Sequence, residues 1–464
     1  MAAVSEGHVR ARSLWLDGVP GSLDPRAALD GDVACDVAIV GAGLCGLWTA
    51  YSLAVAEPNL RIVLVEREVA GFGPAGRNAG FVSAGIAGEA RVYARRHGMD
   101  AVVRAERAII DTIDHVGAVV EREGIDCGWV KGGSLRIATS APQLARTRRL
   151  LEAKRAKGWT NDDMHAVSAG EIRSRVRVEG ARGGTYTPHC ARVDPARLAR
   201  GLADACERHG VTIYEATTAE AIEPGRVRCA GGTVRAGVVV RATESYTITL
   251  PGERRRYLPV YSHMIATEPL PDDVWAKLGW DGRETLADQH HLFVYGQRTQ
   301  DGRIALGGAA APYRFASAIR EADETRPRVR ARLEAALRAL FPPAAGARIT
   351  HSWGGPFAVP RDWSMAIRFD RATGMAAAGG FSGHGQTAAC LAGRTLADLI
   401  LHHDSDLVTL PFVGHECRAW EPEPVRIVAA HAISGLLGAA DRLEDRSDRE
   451  ARFVRLVERW LPPR

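Results

Sequence analysis

The chain has 464 residues, 46% of them apolar and 25% charged, the balance of an ordinary globular protein and not of a disordered one. A net charge of +5 is small for that length, and basic and acidic residues alternate throughout, which argues against a nucleic-acid partner; Arg254-Arg255-Arg256 reads as solvated loop charge. The eight cysteines form no CxxC pair, so neither a zinc centre nor a disulfide framework is expected and no metal-binding residue is nominated. Reduced cysteines, an N-terminal stretch without an apolar signal core, and no run of the ~18 apolar residues that a span requires together predict a cytoplasmic protein with no membrane span.

The length predicts two interleaved domains. Residues 1–34 form a leader with Trp15, expected to lie over the first domain. Residues 35–66 follow as a strand, a glycine turn, a helix and a second strand that ends in Glu66. In this βαβ unit Gly41 makes the tight turn, Gly43 lets the backbone approach a pyrophosphate, and Gly46 lets the helix lie close on the strand. The helix start at Leu44 and Cys45 offers free N–H groups to phosphate, with Ala42 in the turn. Glu66 stands where an acid accepts hydrogen bonds from a ribose diol, and its charge disfavours the 2′-phosphate of NADP. On these residues alone the dinucleotide is NAD or FAD.

The glycine-dense segment 71–85, with Gly76, Arg77, Asn78, Ala79 and Gly80, has neither helical nor strand period and reads as a loop where backbone meets a ligand. Residues 89–124 and 141–158 are helical, with a strand at 133–139 between them. Asp194 as N-cap, Pro195 at the first helical position and Gly210 as the stop delimit another helix. Strands follow at 211–214 and 238–243, the latter ending in Thr243 and a polar turn at Glu244 and Ser245, read as solvated. Between 256 and 355 alternating strands (260–267, 291–295, 303–308) predict an antiparallel layer. A second strand-glycine-helix unit then places Gly380, Phe381, Gly383, His384, Gly385 and Gln386 at the start of an apolar helix over 386–401. No acid-terminated strand follows it, so it suits an anion or a polarised carbonyl better than a second nucleotide. Residues 432–438 read as an apolar turn that packs on the protein's own surface.

Taken in order, six segments resemble the D-amino-acid oxidase superfamily of FAD-dependent amine oxidoreductases over nearly the whole chain. They are residues 41–46, the loop 75–80, Val193-Asp194-Pro195 with its helix, the strand 239–243, the hairpin 295–308 and the turn 379–385. Residues 420–424, Trp-Glu-Pro-Glu-Pro, are similar to the gamma-glutamylputrescine oxidase-like branch of this glycine/sarcosine oxidase-like group. The resemblance implies an α/β fold: a Rossmann-like FAD-binding domain of residues 1–88, 180–255 and 350–464, and a substrate domain of residues 89–179 and 256–349 built on a largely antiparallel sheet. It implies that Glu66, followed by Arg67, holds the adenosine ribose, and that Arg77, Asn78 and Ala79 run past the pyrophosphate and flavin. The helix start at Gly383, His384 and Gly385 would face the flavin N1–C2=O edge, where its dipole stabilises the reduced cofactor. Some members attach FAD through a His in the loop after the second strand, where Asn78 stands here. Others use a late Cys, absent from Ser352-Trp353-Gly354-Gly355-Pro356, so FAD is expected to be non-covalent.

The implied reaction moves a hydride from the carbon of a primary or secondary amine to flavin N5, giving an imine that is then hydrolysed, with O2 the favoured acceptor and H2O2 the product. No general base is obligatory, and the demand is for a desolvated, neutral, oriented amine. Candidate catalytic residues are His384, His263 and Tyr261, which share one face of a strand, Tyr295, and Arg298 as a carboxylate clamp. His290, His291, Gln297 and Trp353 are further neighbours. None of the four lysines, Lys131, Lys154, Lys157 and Lys277, falls in a segment expected over the flavin. Alternatives are a dehydrogenase with another acceptor, a flavin monooxygenase or reductase, and a non-catalytic flavoprotein subunit. Neither the substrate amine nor the oligomeric state is legible.

Overall fold

Runs of β-branched and small apolar residues make Val33–Val40 and Ile62–Val65 strands buried on both faces, and the helix Leu44–Ala56 crosses between them. In the computed structural model, which describes residues 5–309 and 313–454, these strands pair in parallel. The sheet they belong to runs Ala366–Asp370, Met375–Gly379, Gly232–Arg241, Val33–Val40, Ile62–Val65, Thr212–Tyr214. All neighbours are parallel except the first pair. Ala219–Glu223 and Arg226–Cys229 extend it as an antiparallel ribbon.

One face of this sheet carries the largest apolar core, into which Leu44–Ala56, Met99–Arg122, Pro195–Arg208 and Gly385–Leu401 pack. Gly393 lets two of these helices touch, since a Cβ there would sit 2.7 Å from the Trp48 backbone. The predicted caps of Pro195–Arg208 are present: the Asp194 side chain accepts from the Ala196 and Arg197 N–H groups, and Gly210 follows with φ of +86°.

The second sheet runs Ile349–Val359, Leu258–Thr267, Ile304–Ala309, Val294–Arg298, Thr285–Asp288, Ser134–Ala138, Gly183–Thr187, His165–Ser168. It is antiparallel apart from the pair Thr285–Asp288 and Ser134–Ala138. Gly183–Thr187 and, from residue 350 on, Ile349–Val359 fall in the ranges expected for the cofactor half but pair in this sheet. Its outer face is sealed by Leu333 and Leu337 of the helix Pro327–Leu340. Its other face is turned toward the first sheet.

Three local expectations are corrected. The helical stretch 89–124 is two helices, Ala90–His97 and Met99–Arg122, parted by Gly98 at φ +80°. The strand expected from His291 begins at Val294. Residues 432–438 are not a turn but part of the helix Val425–Ser447, which absorbs Gly435 and Gly438 because tertiary contacts override their weak propensity. Among the described residues no helix is long and apolar enough to cross a membrane.

Candidate functional site

A cavity of about 1580 Å³ runs from the carboxyl ends of the first sheet, at Val40, Val65 and Ala242, to the inner face of the second, at Ser134, Ala287 and Tyr295. A site for one small molecule occupies roughly 300–1,000 Å³. There is room for a dinucleotide and a second, smaller ligand.

At the first end Gly41 turns the chain with φ +104°, and a Cβ there would lie 2.7 Å from the Ala242 carbonyl oxygen. A Cβ on Gly46 would collide with the Gly41 carbonyl, whereas one on Gly43 would meet nothing within 4 Å. Gly41, Gly43, Leu44 and Cys45 line the cavity, with Ala42 and Gly46 behind them. Gly43 is the N-cap of Leu44–Ala56 and has no side chain to satisfy its first N–H groups, so the positive end of the helix is open to the cavity. Glu66 Oε2 accepts from the Ala42 N–H at 2.8 Å and Oε1 from the Glu68 N–H at 3.0 Å. Burial pushes its carboxyl up. A carboxylate has about four acceptor positions, and the two left over suit a diol. The Arg67 guanidinium pairs with Glu68 at 3.1 Å and covers the Tyr246 ring.

Along the middle, Arg77, Asn78 and Ala79 border the cavity while Gly76 and Gly80 lie behind. Their carbonyls are pinned in turn: Trp353 Nε1 donates to Arg77, Trp15 Nε1 to Asn78 and Gln297 Nε2 to Ala79, at 2.9, 2.8 and 2.6 Å. Trp353 and Gln297 thus act from behind the loop. Asn78 Oδ1 accepts from the Gly80 N–H and from Gln386 Nε2, tying the loop to the helix Gly385–Leu401.

Thr243 lines the wall, and Glu244 beside it is not in a solvated turn. Its carboxylate accepts from the Gly380 N–H at 3.0 Å and the Ala358 N–H at 3.3 Å, so it braces the turn 379–385 from behind while touching the cavity. Gly380 is held by that bond, away from the wall. Burial pushes the Glu244 carboxyl up to about 7. A folded-state value above the ordinary carboxylate range gives a stabilisation complete below that range and lost as pH rises through about 7. The thermal midpoint should therefore fall between about pH 5 and 8 by an amount that Glu244→Gln abolishes. Equal slopes in both proteins would refute the role.

Phe381, Gly383, His384, Gly385 and Gln386 all face the cavity. His384 is the N-cap of Gly385–Leu401 and its ring lies against Gly85. Burial, with Arg136 and Lys154 nearby, pushes its imidazole down to about 4, so it is neutral. At this second end Tyr295 lines the wall and hydrogen-bonds the Ser262 hydroxyl. His290 and His291 line it beside the helix Val425–Ser447, whose Asp441 accepts the His291 N–H.

The structure removes three residues from the expected cluster. Tyr261 and His263 do share a face, but it is the outer one: Tyr261 Oη bonds the Arg320 backbone and His263 Nε2 meets the Asp323 carbonyl at 2.8 Å. Val260 and Ser262 take the cavity face. Arg298 pairs with Asp281 at 2.8 Å and stacks on Trp275, off the cavity. Conversely, Lys154 and Lys157 do reach the wall, contrary to expectation, because the helix Ala141–Arg155 lies along it. Both pair with Glu106, at 3.4 and 2.7 Å, and Trp159 Nε1 donates to the same carboxylate. Arg136 was missed altogether. The available signal was a charged residue alternating with Leu135 and Ile137 in an otherwise apolar strand.

Four polar atoms of cavity-lining residues, Thr218 Oγ1, Gln289 Nε2, Gln386 Oε1 and Arg426 Nη1, are buried without a protein partner, and the first and third are on the first sheet's side. With the open helix end at Gly43 and the spare acceptor positions of Glu66, those two fit a dinucleotide lying along the cavity. A nucleotide cradle joined to a second ligand chamber defines a dinucleotide-dependent enzyme.

The chain belongs to the FAD dependent oxidoreductase family, whose model matches residues 36–399. Its dinucleotide is FAD. The chain is 29% identical over 382 residues to the gamma-glutamylputrescine oxidoreductase of Escherichia coli K12, covering 81% of this chain and 86% of that one. It is 30% identical over 285 residues to a D-amino acid dehydrogenase of Xanthobacter autotrophicus, covering 58% and 64%. The crystal structure of glycine oxidase from Geobacillus kaustophilus superposes with a TM-score of 0.67 at 22% identity, covering 83% of this chain and all of that one. That likeness speaks for the fold.

Proposed function

We propose that the protein oxidises a primary or secondary amine, an amino acid or amine derivative, to an imine that water hydrolyses to a carbonyl compound, with O2 as electron acceptor and H2O2 as its product. The observation that carries this reading is the unbroken cavity between the nucleotide cradle and a chamber walled by the second sheet. The names of the relatives, which act on glutamylputrescine, glycine and D-amino acids, support an amine.

The chemistry a bound FAD would supply is an acceptor for the hydride equivalent that leaves the substrate carbon. Residues 41–46 and the N-terminus of Leu44–Ala56 would hold its pyrophosphate, Glu66 its ribose, and residues 383–386 its flavin edge. The chamber's own work is to bind, orient and deprotonate. Burial disfavours an ammonium ion, and the positive charges of Arg136 and Lys154 disfavour it further, so the amine is held neutral with its lone pair free. His384, neutral on the same wall, adds no charge of its own. Tyr295, fixed by Ser262, orients the substrate with a hydroxyl. The helix end at Gly385 stabilises negative charge there.

In this reading residues 1–88, 180–255 and 350–464 carry the cofactor and 89–179 and 256–349 the substrate, with Gly183–Thr187 and Ile349–Val359 completing the substrate sheet. Residues 1–4, 310–312 and 455–464 of those ranges lie outside the described residues. FAD is held without a covalent bond in this reading, since Asn78, an amide, stands where the attaching His would be; acid precipitation should leave the flavin in the supernatant, and a yellow pellet would refute this.

Turnover of an amine panel tests the reaction. Carbonyl product, H2O2 and consumed O2 are expected in equal amounts. Product formed only with an artificial acceptor would make the protein a dehydrogenase, and no product with either acceptor would overturn the reading.

A further inference from the structure

Away from the cavity, three arginines from separate segments come together at one end of the second sheet. Arg192 ends the strand Cys190–Arg192, Arg283 stands in the loop before Thr285–Asp288, and Arg298 ends Val294–Arg298. None of them lines the cavity. Arg283 Nη1 donates to the Thr299 carbonyl at 2.6 Å, directly beside Arg298, and Arg298 Nη1 donates back to Asp281 at 2.8 Å. Gly128 locates the third: a Cβ there would lie 3.0 Å from Arg192 Nη1 and 2.7 Å from Gln300 Oε1, so Arg192 stands beside the residue that follows Thr299. Burial, and then the charge of Arg283 with that of Arg298 adding to it, push the Arg192 guanidinium down to about 10.

Like charges held together in a shielded place are unfavourable unless something neutralises them. The acids nearby do so only in part. Asp281 serves Arg298, Asp126 pairs with Arg197, and Asp301 pairs with Arg303. Asp194 caps the helix Pro195–Arg208, and burial pushes its carboxyl up to about 7, which makes it a poor counter-charge at neutral pH. Among the described residues Arg283 forms no ion pair, and Arg192, only 4% exposed, has neither an ion pair nor a hydrogen bond from its guanidinium. The Nε atoms of Arg192 and Arg298 are buried without a partner.

The charge of Arg298 is met by Asp281, so those of Arg192 and Arg283 are left over, and together they call for a dianion. Planar forks that approach from three segments suit the several oxygens of a tetrahedral oxyanion, whereas a carboxylate occupies one fork. The cofactor's pyrophosphate is not the occupant, because residues 41–46, which would hold it, belong to the first sheet.

We infer that Arg192, Arg283 and Arg298 form an accessory binding site for a phosphate-type dianion, separate from the cavity. An anion there ties the strand Cys190–Arg192, whose partner strand Phe81–Ser83 borders the cavity, to the second sheet. It stabilises the folded protein by mass action. The inference is independent of which amine the chamber accepts.

Equilibrium dialysis of radiolabelled inorganic phosphate against the FAD-loaded protein, at constant ionic strength, tests it with the pyrophosphate cradle already filled. One saturable phosphate per chain is expected, displaced by sulfate and not by chloride or acetate, with a thermal midpoint that climbs as phosphate is added. The Kd should rise about 10- to 100-fold in Arg192→Met and in Arg283→Met, the range of a lost hydrogen-bonded charge. It should not change in Arg348→Met, which removes an exposed arginine paired with Glu268 elsewhere. Arg283 is half-buried and outside the cores, so its variant carries the test if Arg192→Met does not fold. Glycerol phosphate in the same assay distinguishes the sources of such an anion: displacement of the label assigns the site to phosphate monoesters as well, and no displacement assigns it to the free ion. Phosphate that does not bind saturably, or that binds the wild type and Arg283→Met alike, would overturn the site.

Discussion

Gly43→Val is expected to give a folded, colourless protein. A Cβ at Gly43 meets no protein atom within 4 Å, so the apoprotein can accommodate the new side chain. The space it fills is the mouth of the open helix end at Leu44, where the cofactor's pyrophosphate must come within hydrogen-bonding distance of backbone N–H groups. Steric exclusion there should cost essentially all FAD, read as loss of visible absorbance from protein whose far-UV circular dichroism is unchanged. Gly46→Val supplies the contrast. Its Cβ would strike the Gly41 carbonyl inside the turn, so the helix must leave the strand and soluble protein should be lost. A yellow Gly43→Val protein would contradict the placement of the pyrophosphate.

Arg77→Met is the second large effect, and it acts on the fold. The Arg77 side chain is wholly buried, and its guanidinium pairs with Glu324 at 2.8 Å, donates to Tyr246 Oη at 2.8 Å and to the Gly354 and Gly73 carbonyls. It joins the loop 71–85 to both sheets. Removing it leaves a carboxylate only 8% exposed with Arg12 alone, at 3.5 Å. Breaking one side of such a pair costs about 3–5 kcal/mol, and the surviving Arg12 contact favours the lower end. The thermal midpoint of Arg77→Met should drop well below that of the wild type, and Arg77→Lys should restore part of it. An unchanged midpoint would mean that Arg77 is not the rivet its contacts describe.

The contrast between these residues shows what a sequence can carry. The turn at residues 41–46 was readable because its constraints are local: a positive φ, a close approach and a helix start within six positions, with Glu66 one strand away. Tyr261 and His263 were readable only in part. Period two says that they share a face, but which face is decided by the helix Pro327–Leu340 and the segment 320–324, which come from elsewhere in the chain. Arg298 and Arg136 had the same standing in the sequence, each a charge in a strand. Only the pairing with Asp281 and, among the described residues, the absence of any such partner for Arg136 separate them. Lys154 was misjudged because nothing local marks its side chain: only the salt bridge to Glu106, on another helix, carries its ammonium to the cavity wall. Glu244 looked solvated because a polar turn usually is; the N–H groups that it accepts belong to residues more than a hundred positions away.

The most direct test is anaerobic. The purified protein, kept free of NAD(P)H, would be mixed with sarcosine, glycine, D-amino acids, polyamine derivatives and aminophosphonates while the flavin absorbance is recorded. At least one amine should bleach the flavin at a saturable rate, with a carbonyl compound as the product. Bleaching by NAD(P)H alone, with every amine inert, would contradict the account.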